Sequence, residues 1–571
     1  MKFIVETDVA VPATDGTALL GDVYRPDDAE RHPVLLCRTP YGKSGVLVSV
    51  GMMNAPILTW AARGYIVVVQ DCRGTGLSEG EFRFMRDEAS DGVDAIAWCA
   101  GEPWSSGLVG MFGSSYLSST QFTAAFERPS ALKAISPSVA PSGAYGQIAY
   151  RGGAFCLATS LEWTQQRVVE QHGRHGLDPT SMPAALDLLM RTPLTAVTEL
   201  DGTAGAHYSG WLAHPDRDAS WEPVNYDGRY ELVTTPSLHV TGWYDVFLGG
   251  TIDNYLHLRD HADGAEARSH QQLVIGPWTH MNQTGRFEGR DYGATAPAPA
   301  GIHALQFDHF DRWLTTREVA PIGNPVHLFV MGIDEWRSEP SWPLPNTDYR
   351  PLYLCASDSG DSGDSSEGGE GLSFERPATD RPPSSYAFDP NDPVPTLGGA
   401  TLISYLSSEG PSDQRANDDR DDVLSFVGSE LTDALEVTGP VAMIAYVSAS
   451  TTDTDLTATL IDVHPDGRAE LLTDGILRLR YRNSLSTPEP LEPGTVYEVR
   501  IDMWATSNVF LSGHRIRVDV SSSNFPRYDR NSNTGGMIAA ERLPDMLPAT
   551  VSLHHSSKYS THVLLPVIPA H

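Results

Sequence analysis

The chain of 571 residues is too long for one hydrophobic core and predicts about three or four folding units. Its 73 Asp and Glu against 40 Lys and Arg leave a formal net charge of −33, which argues against nucleic acid and anionic lipid surfaces as partners. Forty per cent apolar residues with 9% aromatics set it apart from disordered chains, so it should fold.

Reading from the start, Glu6 and Asp8 interrupt the chain before a signal-type apolar core can form, and no later run approaches the ~18 apolar residues of a membrane span. The expectation is a cytoplasmic protein. Its five cysteines lack CxxC spacing and are odd in number, which suits reduced thiols better than a disulfide framework or a zinc site. Between residues 30 and 140, apolar runs at Val34–Cys37, Tyr65–Val69, Val109–Phe112 and Leu132–Ile135 alternate with amphipathic stretches. That alternation predicts a mostly parallel sheet with crossover helices. One helix is predicted over Asp91–Ala100, with Val93, Ile96, Ala97 and Ala100 on its buried face.

From Pro141 the pattern turns helical, over Phe155–Glu170 and Pro183–Met190, with Pro183 at a first helical position and no strand between. Strands resume at Ser237–Val240 and Gln272–Ile275, followed by a helix that puts Phe307, Phe310 and Leu314 on one face. Past about residue 345 the period falls to two: Val499, Ile501 and Met503 alternate with charged residues, as do Ile516, Val518 and Val520. Further runs at Ala442–Val447, Leu456–Val463 and Ile476–Tyr481 complete a β-sandwich, most plausibly a jelly roll. The segment Ser357–Gly371, rich in Ser, Gly, Asp and Glu, reads as a linker. The expected organisation is α/β: a hydrolase-type sheet over 1–140 and 231–345, an inserted helical cap over 141–230, and a sandwich over 346–571.

The chemistry concentrates at Gly113-Ser114-Ser115-Tyr116-Leu117, where an apolar strand runs through a Gly-x-Ser turn straight into a helix. A nucleophile elbow requires that context, and it points to Ser115, although Leu117 stands where strict GxSxG has glycine. A literal GxSxG at Gly76–Gly80 lacks both the flanking strand and the following helix, so Ser78 is assigned to a structural turn with Asp71 and Arg73 as partners. Downstream, Asp245 follows the strand at 237–240 and His280 the strand at 272–275, the Ser, Asp, His order of an α/β-hydrolase. His239 lies inside its strand and reads as a core histidine. His280 would take the Ser115 proton, Asp245 would orient the imidazole, and the Tyr116 N–H would face the oxyanion. A second oxyanion donor must come from the loop after an early strand, where the Tyr41 phenol is the natural candidate.

Gly110-Met-Phe-Gly-x-Ser-Tyr-Leu117, Gly242-Trp-Tyr-Asp245 and Gly276-Pro-Trp-x-His280 resemble the family of cocaine esterases, α-amino-acid ester hydrolases and Xaa-Pro dipeptidyl peptidases. So do Val330–Arg337, Asp392–Pro395 and Ser521–Pro526, and the likeness spans the chain. It implies the same three units and the same Ser115, Asp245, His280, Tyr41 and Tyr116 roles. It also implies no metal or cofactor, and a small ester as substrate with a homodimer left open. Trp163 and Phe247 match aromatic positions that line a benzoyl pocket in such esterases. Two departures stand out: a pocket tryptophan is missing around Gln147–Tyr150, and Ser118 replaces a glycine after the elbow. The expected activity is a serine carboxylesterase acting on small acyl or aromatic esters, with Xaa-Pro dipeptidyl peptidase or α-amino-acid ester hydrolase as the alternative.

Overall fold

The computed structural model describes residues 2–44, 53–174, 183–356, 370–402 and 409–569. Apolar runs without alternation become strands buried on both faces, as a sheet covered by helices on either side requires. These are β3 (His32–Thr39), β4 (Ile66–Asp71), β5 (Ser105–Ser114), β6 (Leu132–Ser138), β7 (Ser237–Tyr244) and β8 (Gln271–Thr279). The N-terminal hairpin β1 (Phe3–Pro12) and β2 (Ala18–Pro26) flanks them on one side, and β9 (Val326–Val330) with β10 (Glu335–Glu339) on the other. The order is β1-β2-β4-β3-β5-β6-β7-β8-β9-β10, parallel from β4 to β9 and antiparallel at both edges.

Helix α1 (Glu88–Gly101) forms where expected, but its buried face is Glu88, Asp91, Gly92, Ala95, Ile96 and Cys99, while Ala97 is exposed. The helix is turned because Arg38, wholly buried at the end of β3, needs carboxylates: Nη1 is 2.8 Å from Glu88 Oε2 and Nη2 is 3.8 Å from Asp91 Oδ2. Taking one partner from such a buried pair costs roughly 3–5 kcal/mol, enough to override an apolar stripe. Helix α2 (Tyr116–Phe126) is buried throughout and follows β5 without a loop. Ser78 sits in a buried turn, its hydroxyl donating to Asp71 O (2.8 Å) and accepting from Leu20 N (2.8 Å). Arg73 pairs instead with Asp15 and Asp91.

The crossover from β6 to β7 holds α3 (Leu157–Arg174) and the shorter helices Ala185–Leu189 and Ala206–Ala213. Phe155 belongs not to the helix but to a two-strand hairpin, Tyr150–Arg151 with Ala154–Phe155, and Pro183 precedes its helix by two residues. Helix α4 (Leu248–His261) follows β7, and α5 (Pro299–Leu314) precedes β9. Buried Phe310 and Leu314 from α5 fill the space above Gly110, where a Cβ would lie 2.7 Å from the Phe310 ring.

Among the described residues, eleven strands between 348 and 568 form the second sheet. It includes β11 (Leu435–Ala449), β12 (Asp455–Val463), β13 (Ala469–Arg478), β14 (Tyr497–Phe510) and β15 (Arg515–Ser521), folded over a core that contains Met443, Leu460, Ile501 and Val518. Strand β13 ends at Arg478 and continues as a single turn at Leu479–Tyr481, because the Arg480 backbone and guanidinium both bind Asp453. β15 is buried on both faces, its polar side closed by the Arg517–Asp519 pair (2.7 Å). The sandwich meets the inserted helical region directly: Arg151 Nη2 donates to Asp474 O (2.7 Å) and Arg478 N to Gly152 O (2.8 Å). Most of the predicted linker, residues 357–369, lies outside the described residues. Cys37, Cys72, Cys99 and Cys156 are buried thiols, and Cys355 is half-buried. No helix among the described residues is long and apolar enough to cross a membrane.

Candidate active site

Ser115 stands on the turn between β5 and α2 with φ 63° and ψ −125°, a left-handed conformation that a non-glycine residue holds only under external constraint. The constraint comes from β6. Ser115 N donates to Ser138 O (2.9 Å), and the Ser118 hydroxyl bridges Ser115 O (2.6 Å) and Ser138 O (2.9 Å). The serine that replaces a small glycine thus ties the elbow to its neighbouring strand. Leu117 fits where strict GxSxG has glycine because the close approach is made elsewhere: a Cβ on Gly113 (φ 139°) would lie 2.6 Å from Leu117 Cβ.

Asp245 and His280 meet across the ends of β7 and β8, with His280 Nδ1 2.9 Å from Asp245 Oδ2. Asp245 is fully buried, and its other oxygen accepts the Phe247 N–H (2.6 Å), so the carboxylate cannot rotate away from the ring. Phe247 also presses edge-on against His280, centroids 5.4 Å apart. Trp278 lies in the register shift between Gly276 and Thr279, where the pairing of the two strands changes before Thr279 meets Tyr244. Its backbone carbonyl would lie 2.2 Å from a Cβ on Gly242, which explains the glycine before Trp243-Tyr244-Asp245. His239 is buried with Nε2 3.1 Å from Gln271 Oε1, and burial lowers its pKa to about 4.

Ser115, His280, Tyr41 and Trp163 line one cavity of about 410 Å³. The Tyr41 phenol, on the loop after β3, faces the same cavity as Ser115 and accepts the Trp163 indole N–H at 3.1 Å. Because that N–H occupies a phenol lone pair, the phenol hydrogen remains free for another acceptor. Burial pushes the Tyr41 pKa up, opposed by the Arg167 guanidinium, which lies 4.7 Å over its ring and donates to Pro40 O. Tyr116 opens α2, so its N–H has no acceptor within the helix. Its phenol points away, donating to Glu88 Oε1 (3.0 Å), and its ring stacks on Trp163 (5.8 Å). Next to the main cavity, Ile148, Phe247, Trp211 and Phe84 line a narrower apolar recess that also reaches Ser115. Ile148 occupies the stretch that lacks the expected tryptophan. His207 closes the back of the Trp163 cluster, held by burial at a pKa of about 3 and therefore neutral.

Two carboxylates escaped the sequence reading. Glu162, one residue before Trp163 on α3, and Glu409, from the sandwich, both line the main cavity. Burial raises the Glu409 pKa, and the negative charges of Asp245 and Glu162 add to it, while the Thr279 hydroxyl and His280 act the other way. Glu162 carried a usable signal, since Glu162 and Gln166 sit one turn apart on the helix face that reaches the cavity. Glu409 carried none, because only the docking of the sandwich brings it near His280.

A buried imidazole–carboxylate pair and a strained serine at a helix start, with His280 and Ser115 in one pocket, define a serine hydrolase of the α/β-hydrolase type that acts on esters. The family described as X-Pro dipeptidyl-peptidase (S15 family) matches residues 15–282, and its C-terminal non-catalytic domain matches residues 323–564. The cocaine esterase of a Rhodococcus species is 42% identical over 99% of both chains. The chain therefore belongs to the S15 family of cocaine esterases and X-Pro dipeptidyl peptidases. Among solved structures, an aminopeptidase from a marine sediment Thaumarchaeota archaeon superposes with TM-score 0.86 at 26% identity, covering 99% of this chain and 97% of that one. An α-amino acid ester hydrolase superposes with TM-score 0.81 at 26% identity, covering 99% and 96%.

Proposed function

We propose that Ser115 is the nucleophile, His280 the general base and Asp245 its orienting acid, in an esterase for small acyl or aromatic esters. Ser115 Oγ attacks the acyl carbon as His280 takes its proton. The Tyr41 hydroxyl and Tyr116 N–H hold the oxyanion, and collapse expels the alcohol, which leaves with the proton from His280. Water repeats the sequence on the acyl-enzyme. Trp163 and Phe247 would flank the acyl group, in an apolar recess that Phe84, Trp211 and Ile148 also line. The reading rests chiefly on the 2.9 Å His280–Asp245 bond in a pocket shared with a serine at φ 63°. We also read 1–140 with 231–345 as the catalytic unit, 141–230 as the cap and 346–571 as the sandwich, supported by one sheet ending at Glu339 and the next beginning at Asp348. Four buried, unbridged cysteines favour a reducing, cytoplasmic setting. A fluorophosphonate probe should label the full chain once, on the peptide that carries Ser115. Labelling at Ser78, or none, would overturn the assignment.

Glu162 and Glu409 favour a second reading, that the preferred esters or amides carry an amine. A substrate ammonium in the cavity would neutralise two clustered carboxylates, one of them already pushed toward its neutral form. The measurement is the ratio of kcat/KM for an amino-acid ester to that for its desamino isostere. Glu409→Gln should lower that ratio about 10- to 100-fold, the range of a charge-assisted contact. The pH dependence has a fixed sign. Because the Glu409 pKa is raised, its charge is lost as pH falls through that raised value, so the amine preference should shrink toward acid before an ordinary glutamate would titrate. A ratio near one in the unmodified enzyme, unmoved by pH and by Glu409→Gln, would leave neutral esters as the substrates.

A further inference from the structure

Away from the catalytic cavity, the sandwich gathers two histidines and a carboxylate at one end of a hairpin. Asp462 is near the end of β12, His464 opens the turn to β13, and His514 immediately precedes β15. The pairing of β12 with β15 sets Asp462 opposite Ile516, which brings residues separated by some fifty positions of sequence side by side. The two imidazole rings lie 4.6 Å apart, His514 Nδ1 is 2.8 Å from Asp462 Oδ1, and one donor atom from each of the three residues lies within 4.8 Å of the others. Asp462 and His514 are buried and His464 is half-buried.

We propose that Asp462, His464 and His514 bind a divalent transition metal ion of the zinc class. Two imidazoles and one carboxylate suit Zn²⁺ or Co²⁺ and not a hard cation such as Mg²⁺ or Ca²⁺, and three protein ligands leave a fourth position for water. Bonds of about 2.0–2.1 Å would put tetrahedral ligand atoms roughly 3.3 Å apart. The His514–Asp462 hydrogen bond already spans nearly that distance, with a proton where the metal would sit. The remaining closure falls to His464, whose turn is the half-exposed part of the site.

The surroundings are built as an outer shell. Asn508 Nδ2 holds the other Asp462 oxygen (3.3 Å), fixing which oxygen faces the histidines. His464 Nε2 and Glu470 Oε2 lie 3.3 Å apart, yet neither makes a well-directed hydrogen bond, and both are shielded from solvent. Glu470, strand partner of Asp462, is therefore placed to accept from a metal-bound water. Its own charge is matched by Arg290 (3.3 Å) and Arg468 (3.2 Å). The role is structural. Glu470 also accepts from Tyr292 (3.1 Å), whose hydroxyl meets that of Tyr244 (3.1 Å), the residue before Asp245, so the ion would brace the joint between sandwich and catalytic sheet.

The test is titration of the untagged full chain with Co²⁺ and then Zn²⁺. One equivalent of Co²⁺ should give the visible absorption of a low-symmetry four-coordinate site, Zn²⁺ should displace it, and Tm should rise with metal and fall back with EDTA. His464→Gln, in the half-exposed turn, is the variant least able to disturb folding and should weaken binding by about 100-fold or more. His514→Gln should do the same, with ester hydrolysis in both reporting a folded enzyme. His214→Gln, which alters the exposed His214–Asp218 pair, should leave one equivalent bound. No saturable binding by the unmodified chain, or a first equivalent that survives both His464→Gln and His514→Gln, would make the cluster an ion-paired joint only.

Discussion

Replacing Ser115 by alanine is expected to lower kcat for a p-nitrophenyl ester by on the order of 10⁴-fold or more, with Tm nearly unchanged. The loss is this large because the remaining groups cannot form an acyl-enzyme. In the proposed site the Tyr41 hydroxyl and Tyr116 N–H would still stabilise an oxyanion, but water would have to attack without having been positioned for it. Stability is spared because the elbow is held through Ser115 backbone atoms, N to Ser138 O and O to the Ser118 hydroxyl, and alanine keeps both. The literal GxSxG serine is the control. The Ser78 hydroxyl joins Leu20 N to Asp71 O inside a buried turn, so Ser78→Ala should cost about 1–3 kcal/mol of stability by leaving Leu20 N unpaired, and kcat should stay within a few-fold. Substantial turnover by Ser115→Ala would remove Ser115 as the nucleophile, whatever the geometry of His280.

The pair of serines also shows what could be read from the chain. Pattern alone favours Ser78, which has the literal motif. Context favours Ser115, because a strand feeding a helix without a loop is what forces a side chain into an exposed, strained turn. The same logic finds Asp245 and His280, each just past an apolar strand, and rejects His239 inside one. The reading falters where long-range partners decide. The face of α1 is turned by Arg38, which belongs to a different strand, and β15 is buried on both sides because Arg517 and Asp519 neutralise each other. Nothing local announces the Arg38 pairing, whereas Arg517 and Asp519 stand two residues apart and only their burial is set by the packing around them. Glu409 reaches the cavity from the sandwich, and His464 meets His514 only once β12 and β15 have paired. Local patterning thus placed the proposed triad residues at the ends of their strands, whereas the carboxylates proposed to set specificity come together only as separate segments pack.

Tyr41→Phe is expected to lower kcat by about 10²- to 10³-fold while KM moves within a few-fold, the mark of a contact made in the transition state and not to the bound ester. The orientation of the phenol supports an effect of that size. Its oxygen accepts the Trp163 indole N–H at 3.1 Å, the Arg167 guanidinium lies 4.7 Å over its ring, and the phenol lines the same cavity as Ser115. A donor held this way needs little reorganisation when negative charge develops on the acyl oxygen. Burial raises the phenol pKa above its ordinary value, which favours the protonated, donating hydroxyl. Phenylalanine retains the ring beneath Arg167 but strands the Trp163 N–H, which should add about 1–2 kcal/mol of destabilisation, visible as a lower Tm. The two effects separate cleanly, because Trp163→Phe removes the indole donor and leaves the phenol in place. That variant should lose less kcat than Tyr41→Phe, since the phenol can still donate but is no longer aimed. If Tyr41→Phe kept kcat within about threefold, the oxyanion would have to be held by backbone N–H groups alone, and Trp163 would return to being only a wall of the pocket.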